Sequence, residues 1–293
     1  MATATVTTVP AVRHKNILFA TDFSEYSRQA LPYAANLAQK FGSSIYLCHV
    51  VTPSQLMIGA PEAAPYLYEA QHKASEEELE AMAHLPDLQG VPTKTILVTG
   101  MLEDELAREI REKQIDLIVV GTHGRTGIRR LVLGSAAEQI CRIATCPVLT
   151  IGPEVVLPQG PMFRKILVPT DFSWVSTEIL PYVLDIAREY EAGITFLHVI
   201  PLDAAASTST RLLAEDVRRT LKKTFSQEFA KYAPQFLIEF GSPAEAIVRA
   251  AAANQNDIIA MGIRHAFAPG IHLRSGVAYQ VMAKAHCPVL TCR

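Results

Sequence analysis

Short apolar runs rich in β-branched residues, each bounded by polar residues, recur along the chain. They are NILFA from residue 16, SIYLCHVV from 44, KTILVTG from 94, DLIVVG from 116 and CPVLTI from 146. A second set follows: KILVP from 165, ITFLHVI from 194, FLIEFG from 236, DIIAMG from 257 and CPVLTC from 287. Runs of this length and composition predict strands. Most are apolar throughout rather than alternating, as in strands buried on both faces. Between the first two, SRQALPYAANLAQKFG places apolar residues near a 3.6 period and stops at Gly42, which predicts a helix with a glycine end. Ser242-Pro243-Ala244-Glu245 predicts another helix start, a capping box with proline at the first helical position. The stretches TPSQLMIGAPEAAPY and PLDAAASTSTR, rich in small residues and proline, read as loops leading into long surface helices, SEEELEAMAHL and AEDVRRTLKKTFSQEFAKY. Strict β–α alternation with buried strands implies a parallel sheet covered on both sides by right-handed crossovers, an α/β fold.

The pattern occurs twice. Residues 16–51 align without gaps on 165–200 at a constant shift of 149, which puts Asp22 on Asp171, Pro32 on Pro181 and His49 on His198. Beyond the following loop and helix the shift is 141, which puts Gly121 on Gly262 and Cys146 on Cys287. The second copy therefore lacks eight residues (149 − 141) in the segment between. The stretch IGPEVVLPQGPM from 151 reads as a connection. This gives domains at 1–152 and 163–293 with 153–162 as linker, two units of ordinary size.

Composition narrows the function classes. With 27 basic and 29 acidic residues among 293, no global field attracts the chain to nucleic acid or an anionic membrane. No apolar run approaches the ~20 residues of a membrane span. The N-terminal MATATVTTVPAVRHK lacks the apolar core of a signal peptide, so a cytoplasmic location is expected. The five cysteines show neither a CxxC pair nor zinc spacing and read as reduced, packed thiols.

In an open parallel sheet, ligands bind beyond the carboxyl ends of the strands where strand order reverses. After the first strand come Ala20, Thr21, Asp22, Phe23 and Ser24, where Asp22 and Ser24 are also good helix caps. After the fourth comes GTHGRTGIRRLVLGSAAEQI, with Gly121, Gly124, Gly127 and Gly134 in fourteen residues. Glycine costs ~1 kcal/mol relative to alanine in a helix, so this spacing marks a loop that needs close backbone approach or positive φ. Running into a helix near Gly134-Ser135, it offers unpaired N–H groups to an anion, with Arg125, Arg129 and Arg130 as cationic additions or as solvated loop charges. It is not a P-loop, having no GxxxxGK[ST].

These residues carry a resemblance. The spacing G-x2-G-x9-G followed by Ser, met by Gly121, Gly124, Gly134 and Ser135, together with the TDFS start and the HV at the end of strand two, resembles the universal stress protein family in tandem form. The resemblance covers nearly the whole chain. It implies a Rossmann-like sheet of the adenine nucleotide alpha hydrolase type, with strand order 3-2-1-4-5. It further implies ATP, usually with Mg²⁺, held by Ala20, Thr21, Asp22 and Val50 around adenine and ribose, and by Gly121, His123, Gly124, Gly134, Ser135 and Ala136 around ribose and phosphates, and Arg125 is added to the candidate site for its charge alone. It also implies pairing of the two repeats through their last strands, with dimerisation of whole chains as a further expectation.

The second copy departs from that motif. His265 stands where Gly124 does, and Ser275-Gly276 inverts Gly134-Ser135. A β-carbon at 265 would obstruct close approach of phosphate, so the first domain is expected to bind ATP and the second weakly or not at all. Arg264, His265, His272 and Arg274 leave another anion possible there. Two function classes stand: a regulatory nucleotide-binding module in a stress response, which the residues favour, or an enzyme acting on the γ-phosphate. His123 is the one obvious candidate for catalysis, so at most weak hydrolysis is expected.

Overall fold

The computed structural model describes residues 14–52, 64–122, 133–201, 210–263 and 276–293, and the chain divides into two compact units at Pro153/Glu154. The predicted loop centres after the second strand of each copy (53–63 and 202–209) and the central part of each loop after the fourth strand (123–132 and 264–275) lie outside the described residues.

In the first unit the order is β1 (Asn16–Ala20), α1 (Glu25–Phe41), β2 (Ser44–Val51), α2 (Ala64–Ala83), β3 (Thr93–Thr99), α3 (Leu102–Glu112), β4 (Leu117–Gly121), α4 (Ser135–Ile143) and β5 (Val148–Ile151). All its strand pairs are parallel, in the order β3-β2-β1-β4-β5. β1 and β4 lie side by side at the point of reversal, with Ala20 opposite Val120. Both strands are buried along nearly their whole length, as their unbroken apolar sequence requires. α1 ends at Gly42, whose φ of 65° is the left-handed turn that glycine adopts without strain.

The second unit repeats this with β6 (Lys165–Pro169), α5 (Leu180–Tyr190), β7 (Gly193–Ile200), α6 (Thr210–Phe229), β8 (Gln235–Phe240), α7 (Pro243–Ala253), β9 (Ile258–Gly262), α8 (Val277–Lys284) and β10 (Val289–Cys292). Its strands are parallel in the equivalent order β8-β7-β6-β9-β10. At the amino ends of the strands the copies also agree. Asp116 accepts hydrogen bonds from the Lys15 and Asn16 amides at 2.8 and 3.2 Å, and Asp257 accepts from Arg164 and Lys165 at 2.8 and 2.9 Å.

Three local expectations change. First, α2 and α6 begin at Ala64 and Thr210, inside the stretches read as loops. In α2 strong helix formers continue upstream to a proline in the first turn, where a missing N–H is harmless. Second, Ser242 is the N-cap of α7, but its side chain makes no capping bond. Pro243 removes one donor, and the turn closes through the Ala246 amide onto the Ser242 carbonyl at 2.9 Å. Third, the counterpart of the first two turns of α1 is a 3₁₀ turn, Val175–Thr177, before α5 begins at Leu180. Val175, Thr177 and Ile179 replace Tyr26, Arg28 and Ala30, and such β-branched residues disfavour a helical start.

Candidate functional site

Each unit keeps a hydrogen-bonded joint between the ends of its first two strands. Thr21 Oγ1 accepts from the Phe23 amide at 2.9 Å and lies 2.9 Å from Ser27 Oγ. Asp22 Oδ1 accepts from the Ser24 amide at 3.0 Å, and Ser24 caps α1 by accepting from the Ser27 amide at 3.2 Å. His49 Nδ1 lies 2.8 Å from the Thr21 carbonyl. A carbonyl only accepts, so this nitrogen carries the proton. The imidazole also packs against Phe23 at 4.4 Å between ring centres.

The second unit reproduces the set with Thr170, Phe172, Ser176 and His198, including the 2.9 Å hydroxyl pair and the 2.8 Å histidine contact. Phe23 and Phe172 both sit at positive φ, 64° and 62°. For a bulky residue that costs about 1–3 kcal/mol and persists only where surrounding bonds over-determine it. The TDFS signature is thus a rigid turn that fixes where Asp22 stands.

Above this turn in the first unit is a cavity of about 430 Å³ at the carboxyl ends of β1, β2 and β4, within the usual range for small-ligand sites. Ala20, Thr21, Asp22, Val50, Gly121, Gly134, Ser135 and Ala136 all line it. His123, Gly124 and Arg125 lie outside the described residues. Asp22 and Val50 are half-buried, and Ser135 and Ala136 are exposed.

The start of α4 differs from that of α1. Its N-cap is Gly134, with no side-chain capping bond, and Gly134 N–H donates to the Thr122 carbonyl at 2.6 Å. The first-turn amides beyond it thus start an uncapped helix at the cavity wall, where the helix dipole favours an anion. The cavity floor is apolar, with Leu102, Leu106 and Ile140 beside Cys48. Burial, assisted by the Glu109 and Glu105 carboxylates, pushes the Cys48 thiol up to about 12, so it stays neutral.

Gly121 has a local reason to be glycine. A β-carbon there would lie 2.8 Å from the Tyr26 carbonyl oxygen and 3.1 Å from Ser27 Cα, so the end of β4 can approach α1 only without a side chain. Gly262 is held the same way against the Val175 carbonyl, more tightly still. The first glycine of the motif therefore serves packing in both copies. The copies diverge further on: α8 starts at Val277 behind an N-cap at Gly276, one position later in register than α4.

Comparison with known proteins follows the same division. The profile of the universal stress protein family matches residues 13–152 and 162–293. The chain belongs to the universal stress protein family. A tandem universal stress protein of Synechocystis is 27% identical over 304 residues, spanning 95% of this chain and all of its own length. One from Methanocaldococcus jannaschii is 33% identical over 140 residues, 47% of this chain and 82% of its own. A solved universal stress protein from Archaeoglobus fulgidus superposes with a TM-score of 0.75 at 20% identity, covering 96% of this chain and 99% of its own, a likeness of fold.

Within this universal stress protein the cavity also takes in residues that sequence reading did not name: Thr52, Gln71, Leu102 and Gln139. Leu102 had a signal, since it opens α3 just after β3. Gln71 had none, because only the packing of α2 over β2 and β3 brings it to the site. Among the described residues, no helix is long and apolar enough to cross a membrane.

Proposed function

We propose that this tandem universal stress protein is a regulatory module that binds ATP in its first unit. The observation that carries the reading is one cavity combining an apolar floor, a positioned carboxylate at Asp22 and an uncapped helix start at Gly134-Ser135. The floor suits a purine, the carboxylate can accept hydrogen bonds from a ribose or an exocyclic amine, and the helix start suits phosphate. Gly124 and His123 complete the phosphate side by resemblance to the family, and Arg125 adds a cationic side chain suited to phosphate oxygens. Among the described residues no three His, Cys, Asp or Glu side chains gather as a metal cage. By resemblance to the family, Mg²⁺ would accompany the triphosphate and help neutralise its charge.

The second unit binds ATP weakly or not at all: His265 replaces the second glycine, and its helix starts one residue later. By resemblance to the family, whole chains dimerise and the protein works in the cytoplasm. A hydrolytic role is the second reading, and turnover separates them. A rate at or above ~1 s⁻¹ belongs to an enzyme, and a slower one to a binding module.

Calorimetric titration of the full chain with Mg·ATP tests the proposal. Binding at one site per chain is expected, abolished in Gly124→Asp by steric block and charge repulsion. Two sites per chain would overturn the asymmetry, and unchanged binding by Gly124→Asp would overturn the site.

A further inference from the structure

Two helices that hold the same place in the two units carry opposite charge on their exposed faces. α2 and α6 each follow the second strand of their unit and each have 20 residues. Each buries an apolar stripe on its own sheet, Leu79 and Met82 in α2, Leu221, Phe225 and Phe229 in α6. The outward face of α2 carries Glu76, Glu77, Glu78 and Glu80, all exposed, and that of α6 carries Arg218, Arg219, Lys222 and Lys223, also exposed.

An ordinary solvated helix mixes signs, with glutamate four residues before lysine. Each helix begins in that mixed way, with Glu69, Lys73 and Glu77 in α2 and Glu215 and Arg219 in α6, but like charges also repeat at i,i+4, as Glu76–Glu80, Arg218–Lys222 and Arg219–Lys223. Each face therefore repels itself. Local partners relieve only some of this: Glu77 lies 4.0 Å from Lys73, Glu80 lies 3.6 Å from His84, and Arg219 lies 3.3 Å from Asp216. Among the described residues, Glu76, Glu78, Arg218, Lys222 and Lys223 form no ion pair. Tyr66, 77% exposed, stands at heptad spacing from Lys73 and Glu80 and adds an aromatic anchor to the acidic stripe.

We propose that the acidic face of α2 docks on the basic face of α6 in a second copy of this chain. The two helices are equal in length and opposite in the sign of their exposed charge, and joining the Glu76–Glu80 face to the Arg218–Lys223 face relieves both self-repulsions at once. Complementary fields of this kind set partner choice and encounter rate. They also make assembly sensitive to salt, which screens exposed charges.

Sedimentation velocity on the full chain, over a concentration series at about 20 mM and about 500 mM salt, is the test. Concentration-dependent assembly is expected, at least about tenfold weaker at the higher salt. Reversing α2 (Glu76→Lys, Glu77→Lys, Glu78→Lys, Glu80→Lys) makes both faces basic. Reversing α6 (Arg218→Glu, Arg219→Glu, Lys222→Glu, Lys223→Glu) makes both acidic. Each reversed chain should lose self-assembly, and an equimolar mixture should recover it as a one-to-one complex. If either reversed chain misfolds by circular dichroism, the milder pairs Glu76→Gln/Glu80→Gln and Arg218→Gln/Lys222→Gln replace it, and each should weaken assembly and flatten its salt dependence. A wild-type chain that stays monomeric, an assembly indifferent to these substitutions, or folded reversed chains that fail to recombine would each overturn the proposal.

Discussion

Replacing Gly121 with alanine puts a methyl group 2.8 Å from the Tyr26 carbonyl oxygen and 3.1 Å from Ser27 Cα. Both are well inside the ~3.5 Å at which non-bonded atoms settle. Neither side yields easily. β4 is hydrogen-bonded to β1 and β5 on its two edges, and the start of α1 is fixed by the Ser24 cap and the Thr21–Ser27 hydroxyl pair. Overpacking of this kind costs about 1–3 kcal/mol. With a urea dependence near 2 kcal/mol per molar, the unfolding midpoint should fall by roughly 0.5–1.5 M. Gly262→Ala meets the Val175 carbonyl more closely and should cost the upper end of that range or more. The assay is urea unfolding followed by circular dichroism, with ATP titration of the same variant where it is still folded. A Gly121→Ala protein of wild-type midpoint that has lost ATP binding would refute the packing argument and make the glycine a ligand-contact residue.

The strand-one joint and the cavity thiol give two more expectations. Thr21→Val leaves the Phe23 amide and the Ser27 hydroxyl without their buried partner and should lower stability by about 1–3 kcal/mol in thermal melts. Thr170→Val should do the same in the second unit, and a neutral outcome in both would mean the joint does not hold these turns. With its thiol pushed up to about 12, Cys48 has a thiolate fraction of roughly one in three thousand at pH 8.5. Mass spectrometry should find it unalkylated by iodoacetamide in the native chain and modified after denaturation; complete native labelling within minutes would contradict the burial.

Much of the fold was legible from residue order, because its determinants are local. Unbroken apolar runs such as LIVV declare strands buried on both faces, and Gly42 declares a helix end. The fixed shift between Asp22 and Asp171 declares a repeat. The candidate site residues at or just beyond a strand end, Asp22 and Gly121 among them, were legible for the same reason. What the sequence misjudged was also local but finely balanced. The Ser242 hydroxyl had a backbone alternative within reach, and the β-branched run from Val175 tips a helix start into a 3₁₀ turn.

Only tertiary structure decided the rest. Gln71 reaches the cavity because α2 crosses β2 and β3, and no spacing in the chain encodes that. Gly121 reads as a ligand glycine in one dimension, yet the atoms that forbid its β-carbon belong to α1, almost a hundred residues earlier. His49 stands near the end of β2 as a polar residue among apolar ones, and packing turns it into the clamp that holds Thr21 and the strained Phe23. A sequence records which groups each residue carries. Which groups meet depends on how the strands and helices close on one another, through contacts whose partners are far apart along the chain.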